Sequence, residues 1–271
     1  MDMSEQAQDK PAGQGQPKAA AGVPGATSAA KVPWWRSLDR NVVFMHIPKA
    51  GGSTVRSFIA DHVDADQVFP QDQLHHFPSY ESLKTRRTML FMSHLGYHFV
   101  RDGNADPITL LRHPVERLLS LYSYTRNPGK FIPVIDPSFA KGKTLTQFFQ
   151  SEELQIAMNV RDAMTWQLAS GYHAPHRNLV RARGIEDSDV QQRAIRTLRR
   201  CVVVGVLEDL PRFYDAVDEF FGKKAPRPSK VVNASRDRIR WADLTAEEKA
   251  AVEENVQMDW VTYDKAKALA G

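Results

Sequence analysis

The sequence predicts an α/β fold: a mostly parallel sheet covered by helices on both faces, in one domain. Three observations predict it. Apolar runs of strand length recur along the chain. Most are followed by a break and then by apolar residues at helical spacing. The first run passes through a Gly pair directly into a helix start, as parallel strands joined by crossover helices do.

Residues 41–47 are almost continuously apolar, as in a strand buried on both faces. Pro48-Lys49-Ala50-Gly51-Gly52 breaks the run, and Ser53-Thr54 opens a helix reaching His62. Residues 88–92 and 108–111 are two further short strands. Pro114 suits the first turn of the next helix. There Val115, Leu118, Leu119 and Tyr122 fall at i, i+3, i+4 and i+7, one buried face. Residues 143–170 read as helical with a break. A basic amphipathic helix over 190–200 leads into a strand at 201–207. Phe213, Val217, Phe220 and Phe221 mark another helix, ended by Gly222. Residues 223–240 form a basic, Pro-containing loop. Thr245 with Glu248 makes a capping box for a last helix.

The 271 residues are enough to bury a full core. With one Cys an internal disulfide is excluded, and Cys201, set in the run Cys201-Val202-Val203-Val204, reads as a buried, reduced thiol. No apolar run approaches the length of about 18 residues that a membrane-spanning helix needs. The net charge of +4 suits a protein that handles anions and is too small to argue for nucleic acid. Residues 1–35 are rich in Gln, Ala, Gly, Pro and Ser and read as a disordered tail before a domain at 36–271. Asp2 and Glu5 stand where a secretory signal carries positive charge. These features place the expected location in the cytoplasm.

The strongest chemical signal is His46-Ile47-Pro48-Lys49-Ala50-Gly51-Gly52-Ser53-Thr54. Glycines let backbone N–H groups approach an anion without Cβ obstruction. The helix start adds unpaired N–H donors and the positive end of its dipole. Lys49 adds a point charge, and Ser53 and Thr54 add hydroxyls. Together these build a phosphate cradle. It departs from the usual nucleoside-triphosphate loop, because Lys49 precedes the glycines instead of following them. That departure weighs against a nucleotide kinase. A second anion site is read in Leu111-Arg112-His113-Pro114, where an Arg fork at a strand end, joined by Ser120 on the following helix, can clamp a phosphate.

The first string closely resembles the 5′-phosphosulfate loop of the carbohydrate sulfotransferase family, which includes the heparan sulfate O-sulfotransferases. The second resembles that family's 3′-phosphate motif. The resemblance implies a soluble, bacterial-type sulfotransferase with the phosphate-loop-like sulfotransferase fold. It implies that Lys49, Ala50, Gly51, Gly52, Ser53 and Thr54 hold the phosphosulfate of 3′-phosphoadenosine-5′-phosphosulfate, the product being adenosine 3′,5′-bisphosphate. Arg112 and Ser120 would grip the 3′-phosphate. Lys230, Arg236, Arg238 and Arg240 in the late basic loop are candidates to close over it. The implied acceptor is a hydroxyl, most simply of a glycan. A rival of another class is a non-catalytic nucleotide- or glycan-binding module.

Sulfuryl transfer needs no metal, and no clustered His, Cys, Asp or Glu spacing suggests one. It does need a general base for the acceptor hydroxyl. His94 stands just past the second strand, where open α/β sheets place their sites. The string Ser93-His94-Leu95-Gly96-Tyr97 is similar to the family's Gly-His-x-Pro-Tyr-Gly pattern, departing at Ser93, Gly96 and His98. His98, His75 and His76 remain alternatives for the base, and His46 reads as structural. Tyr97, His98, Arg161 and Trp166 are the candidates to line the acceptor site.

Overall fold

A computed structural model describes residues 41–69, 90–94, 100–101, 105–126, 140–171, 184–228 and 239–271. The tail 1–35, His75, His76, Tyr97, His98, Lys230, Arg236 and Arg238 lie outside the described residues. All those described belong to one compact unit spanning Pro33–Gly271.

Four strands form a parallel sheet in the order β2-β1-β3-β4. They are β1 (Asn41–Met45), β2 (Leu90–Ser93), β3 (Ala105–Leu111) and β4 (Val203–Val206). In β1, Val42 and Phe44 face one side and Val43 and Met45 the other, and all are buried. That is why the run is apolar without alternation. On one face α1 (Gly52–Ala60) and α7 (Leu210–Phe221) pack through Val55, Phe58, Phe213 and Val217. On the other lie α5 (Ala163–Ser170), α6 (Asp187–Arg200) and α9 (Gln257–Ala270), through Met164, Leu168, Ala194, Leu198 and Ala266. A third apolar cluster joins α2 (Pro114–Thr125), α3 (Leu145–Phe149), α4 (Leu154–Val160) and α8 (Ala246–Glu253).

Details depart from the sequence expectation for physical reasons. Strand β3 starts three residues early and carries Pro107, which pairs in register with Val43. Proline cannot donate to a ladder, so the sequence argues against it there. Its carbonyl still accepts from Val202 N–H at 2.8 Å. The 143–170 region breaks twice, giving α3, α4 and α5. The Thr245–Glu248 capping box is present, but it starts α8, and α9 follows it.

The connections after β1 and β3 leave in opposite directions, toward β2 and β4. Neighbouring strands with diverging connections open a crevice at their carboxyl ends. Here that crevice receives the segments beginning at His46 and Arg112.

A buried His62–Asp218 pair ties α1 to α7. His62 Nε2 lies 2.8 Å from Asp218 Oδ1, and Arg227 Nη2 lies 2.9 Å from Oδ2. Burial alone would raise the Asp218 carboxyl. The hydrogen bonds from His62 and Ala225 N–H, with the Arg227 and His62 charges, outweigh it and hold Asp218 below its ordinary value. A depressed folded-state pKa means stability present above the unfolded value and lost as pH falls through the folded one. Asp218→Asn should therefore cost on the order of 1–3 kcal/mol at neutral pH, as for hydrogen bonds to a charged group. The gap to wild type should close below about pH 4. Urea unfolding across pH 3–7 checks this, and a gap independent of pH would exclude the carboxylate as its source.

Candidate active site

Strand β1 ends at Met45, and the chain turns through residues 46–51 into α1. Two residues of the turn adopt left-handed backbone, Lys49 at φ 69° and Gly51 at φ 81°. For a lysine this conformation costs on the order of 1 kcal/mol or more, the kind of strain that clusters at ligand clamps. A methyl on Gly52 would fall 2.0 Å from the His46 ring, so only glycine lets that imidazole lie against the start of α1. No side chain caps α1 at Gly51. The first N–H to close a turn is that of Thr54, on Gly51 O at 3.0 Å. The amides of Gly52 and Ser53 precede it and point out of the helix end. Ser53 is exposed beside them, while Thr54 and Ala50 are buried.

Arg112 follows β3 directly and reaches this turn. Its Nη1 donates to Lys49 O at 3.1 Å, and Nη2 approaches Glu116 Oε2 at 3.5 Å. His113 then occupies the N-cap of α2, with Pro114 in its first turn. Glu208 holds this corner, accepting from His113 N–H and from Tyr263 O–H, each at 3.0 Å. Ser120 and Tyr124 are one turn apart on α2 and share a face. The Lys49 ammonium sits 3.5 Å from the Tyr124 ring centroid, a cation–π contact. The face of α2 carrying Ser120 is thereby turned toward the loop.

His94 follows β2. The ladder continues past the strand, with His46 N–H donating to Ser93 O at 3.0 Å. His94 Nδ1 lies 2.6 Å from His46 O. A carbonyl only accepts, so Nδ1 carries the proton, and in the neutral ring Nε2 is the basic nitrogen. The two imidazoles stack with centroids 4.5 Å apart. Burial, followed by the His94, Arg56 and Lys49 charges, holds His46 well below the ordinary histidine value. His46 is packed between Gly52 and His94, where its charged form is disfavoured. On α5, Gln167 donates to His46 O at 2.9 Å and to His94 O at 3.2 Å.

The structure thus gathers Lys49, Gly51, Gly52, Ser53, Arg112 and His94 around one crevice, with Ser120 on the α2 face that carries Tyr124. It does not gather every expected residue. Trp166 is 3% exposed and packs in the core with Val43 and Met45, so its ring offers no open face to an acceptor. Arg161 caps α4, and its guanidinium is paired with Glu152. Arg240 is exposed ahead of α8. Cys201 is partly buried, its thiol donating to Thr197 O and pushed up in pKa by burial. Among the described residues no group of three or more His, Cys, Asp or Glu could hold a metal ion. No described helix is long and apolar enough to cross a membrane.

Gln167 and Tyr124 were not among the residues read from the sequence. A signal for Gln167 existed: a lone amide inside the apolar helix Met164–Ala169 needs buried partners. Tyr124 is marked only by its spacing of four from Ser120.

A parallel α/β sheet with an uncapped glycine turn, a lysine and an arginine at its switch point is a phosphate-loop-like arrangement. The sequence model described as Sulfotransferase family matches residues 34–238, and the chain belongs to that family. It is accordingly a transferase for sulfuryl groups. Comparisons with curated proteins and with solved structures returned no match.

Proposed function

We propose that the chain transfers a sulfuryl group from 3′-phosphoadenosine-5′-phosphosulfate to a carbohydrate hydroxyl. The observation that carries this reading is a histidine of fixed tautomer, His94, stacked through His46 against the glycine turn of the anion cradle. The residues fit the donor: glycines free of Cβ, open amides at the start of α1, Lys49 and the Ser53 hydroxyl for the 5′ end, Arg112 and Ser120 for the 3′-phosphate. When bound, the donor supplies an activated sulfuryl group with a phosphate leaving group. Lys49 and the turn amides stabilise negative charge as it grows on the bridging oxygen. His94 Nε2 takes the acceptor's proton as its oxygen bonds to sulfur. The carbohydrate class rests on the likeness of the two anion motifs to those of carbohydrate sulfotransferases.

Labelled-sulfate transfer across a panel of glycans, lipids and phenols tests the acceptor, and transfer confined to non-carbohydrates overturns that part. Calorimetry tests the donor. Arg112→Ala should cost about 2–4 kcal/mol of affinity for adenosine 3′,5′-bisphosphate, as when one partner of a buried charge pair is lost. Because Arg112 also braces Lys49 O, binding of adenosine 5′-phosphosulfate to the same variant separates the two roles. Its affinity should fall much less. If wild type binds the two ligands equally, no 3′-phosphate clamp exists.

A further inference from the structure

We propose that Gln167 is a positioning residue that sets the tautomer and placement of His94. The inference rests on the reading of His94 as the base.

The carbonyls of His46 and His94 stand just past the ends of parallel strands β1 and β2. Gln167 bridges them. One amide nitrogen, on a side chain only 4% exposed, donates to both carbonyls, at 2.9 and 3.2 Å. Both partners are acceptors, so the NH2 end must face them, which fixes the amide's orientation chemically. Its Oε1 is buried and accepts no hydrogen bond among the described residues. An orphaned buried oxygen is costly, so this position gains nothing from an amide except its donors.

What those donors hold is specific. His46 O accepts two hydrogen bonds, one from Gln167 Nε2 and one from His94 Nδ1. A carbonyl has two lone pairs, and occupying one with Gln167 directs the other at the imidazole. The second Gln167 bond fixes the backbone of His94 itself. Gln167 thus pins the acceptor that selects the Nδ1–H tautomer and the main chain that carries the ring. It touches neither donor nor acceptor substrate in this role.

The test is Gln167→Met, of similar shape but without donors. Long-range nitrogen spectra of the full chain labelled at histidine report the tautomer, with His94 assigned by its own substitution. Wild type should show His94 with Nδ1 protonated and Nε2 bare. Gln167→Met should shift it to a mixture, lower turnover about 10- to 100-fold, as expected for a reacting group out of place, and leave donor affinity within about two-fold. Gln167→Asn keeps the donors on a side chain one methylene short and should fall between. It also carries the test if the Met variant fails to fold. An unchanged tautomer with turnover within two-fold of wild type overturns the proposal, as does a wild-type His94 protonated on Nε2. If the tautomer shifts while His94→Ala keeps its turnover, the positioning role stands and the base lies elsewhere.

Discussion

His94→Ala should lower single-turnover sulfuryl transfer by about 10²- to 10⁴-fold, the usual contribution of a positioned general base, and leave donor affinity nearly unchanged. The split follows from geometry. His94 hangs from the end of β2, stacks on the His46 ring and holds Nδ1 2.6 Å from His46 O. Lys49 lies within the turn, so Lys49→Ala should weaken donor binding and slow chemistry together. Calorimetry beside rapid-quench transfer for both variants reads the difference. Should His94→Ala lose donor binding as badly as Lys49→Ala, His94 belongs to the nucleotide side and the assigned base is wrong.

The second large effect concerns stability. Asp259 on α9 is fully buried. Its Oδ1 accepts from Thr165 N–H and from the Thr165 hydroxyl, each at 2.8 Å, and Oδ2 accepts from Met164 N–H at 3.3 Å. Burial pushes this carboxyl above its ordinary range, while the Arg117 charge and the hydrogen bonds from Thr165 and Met164 act the other way. Asp259→Ala strands the first-turn amides of α5 and removes the partner of a buried cation's field. Losing one member of a buried charged network costs about 3–5 kcal/mol, a large share of a domain's total stability. Chemical denaturation measures it. Asp259→Asn, which keeps one acceptor oxygen, should lose less. An alanine variant within about 1 kcal/mol of wild type would falsify the capping role.

Much of this was legible in the sequence because it is local. The buried run of β1, the glycine turn, Pro114 at the start of α2 and Gly222 at the end of α7 are all consecutive strings, and each folds as its own chemistry dictates. The start of β3 was not legible, since Pro107 argues against a strand and only its neighbours on both sides overrule it. The double break before α5 was hidden for a related reason: α5 is preceded at its N-cap by Asp162, a non-glycine residue at φ 45°, held there by contacts with α9. In the site, Lys49, Arg112, Ser120 and His94 each sit in a recognisable string. Gln167 lies 121 residues from His46 and 73 from His94, so its relation to them exists only after the helix has packed. Trp166, its neighbour in sequence, was read toward the acceptor, but helical rotation turns it into the core instead.

The exchange of carboxylates between α5 and α9 bears on the order in which the chain acquires its parts. Asp259 supplies acceptors to the first turn of α5, from 94 and 95 residues further along. Asp162 returns the service, accepting from Met258 and Asp259 N–H at the start of α9. Neither helix start is satisfied without the other. During synthesis all four strands, the glycine turn and His94 leave the ribosome well before α9 does. A nascent chain can assemble the sheet and the glycine turn while α5, and with it Gln167, still lacks its anchor. On the proposed reading, the glycine turn and Arg112 can be in place early in translation, whereas the Gln167 anchor beneath His94 is secured only once α9 has emerged and docked.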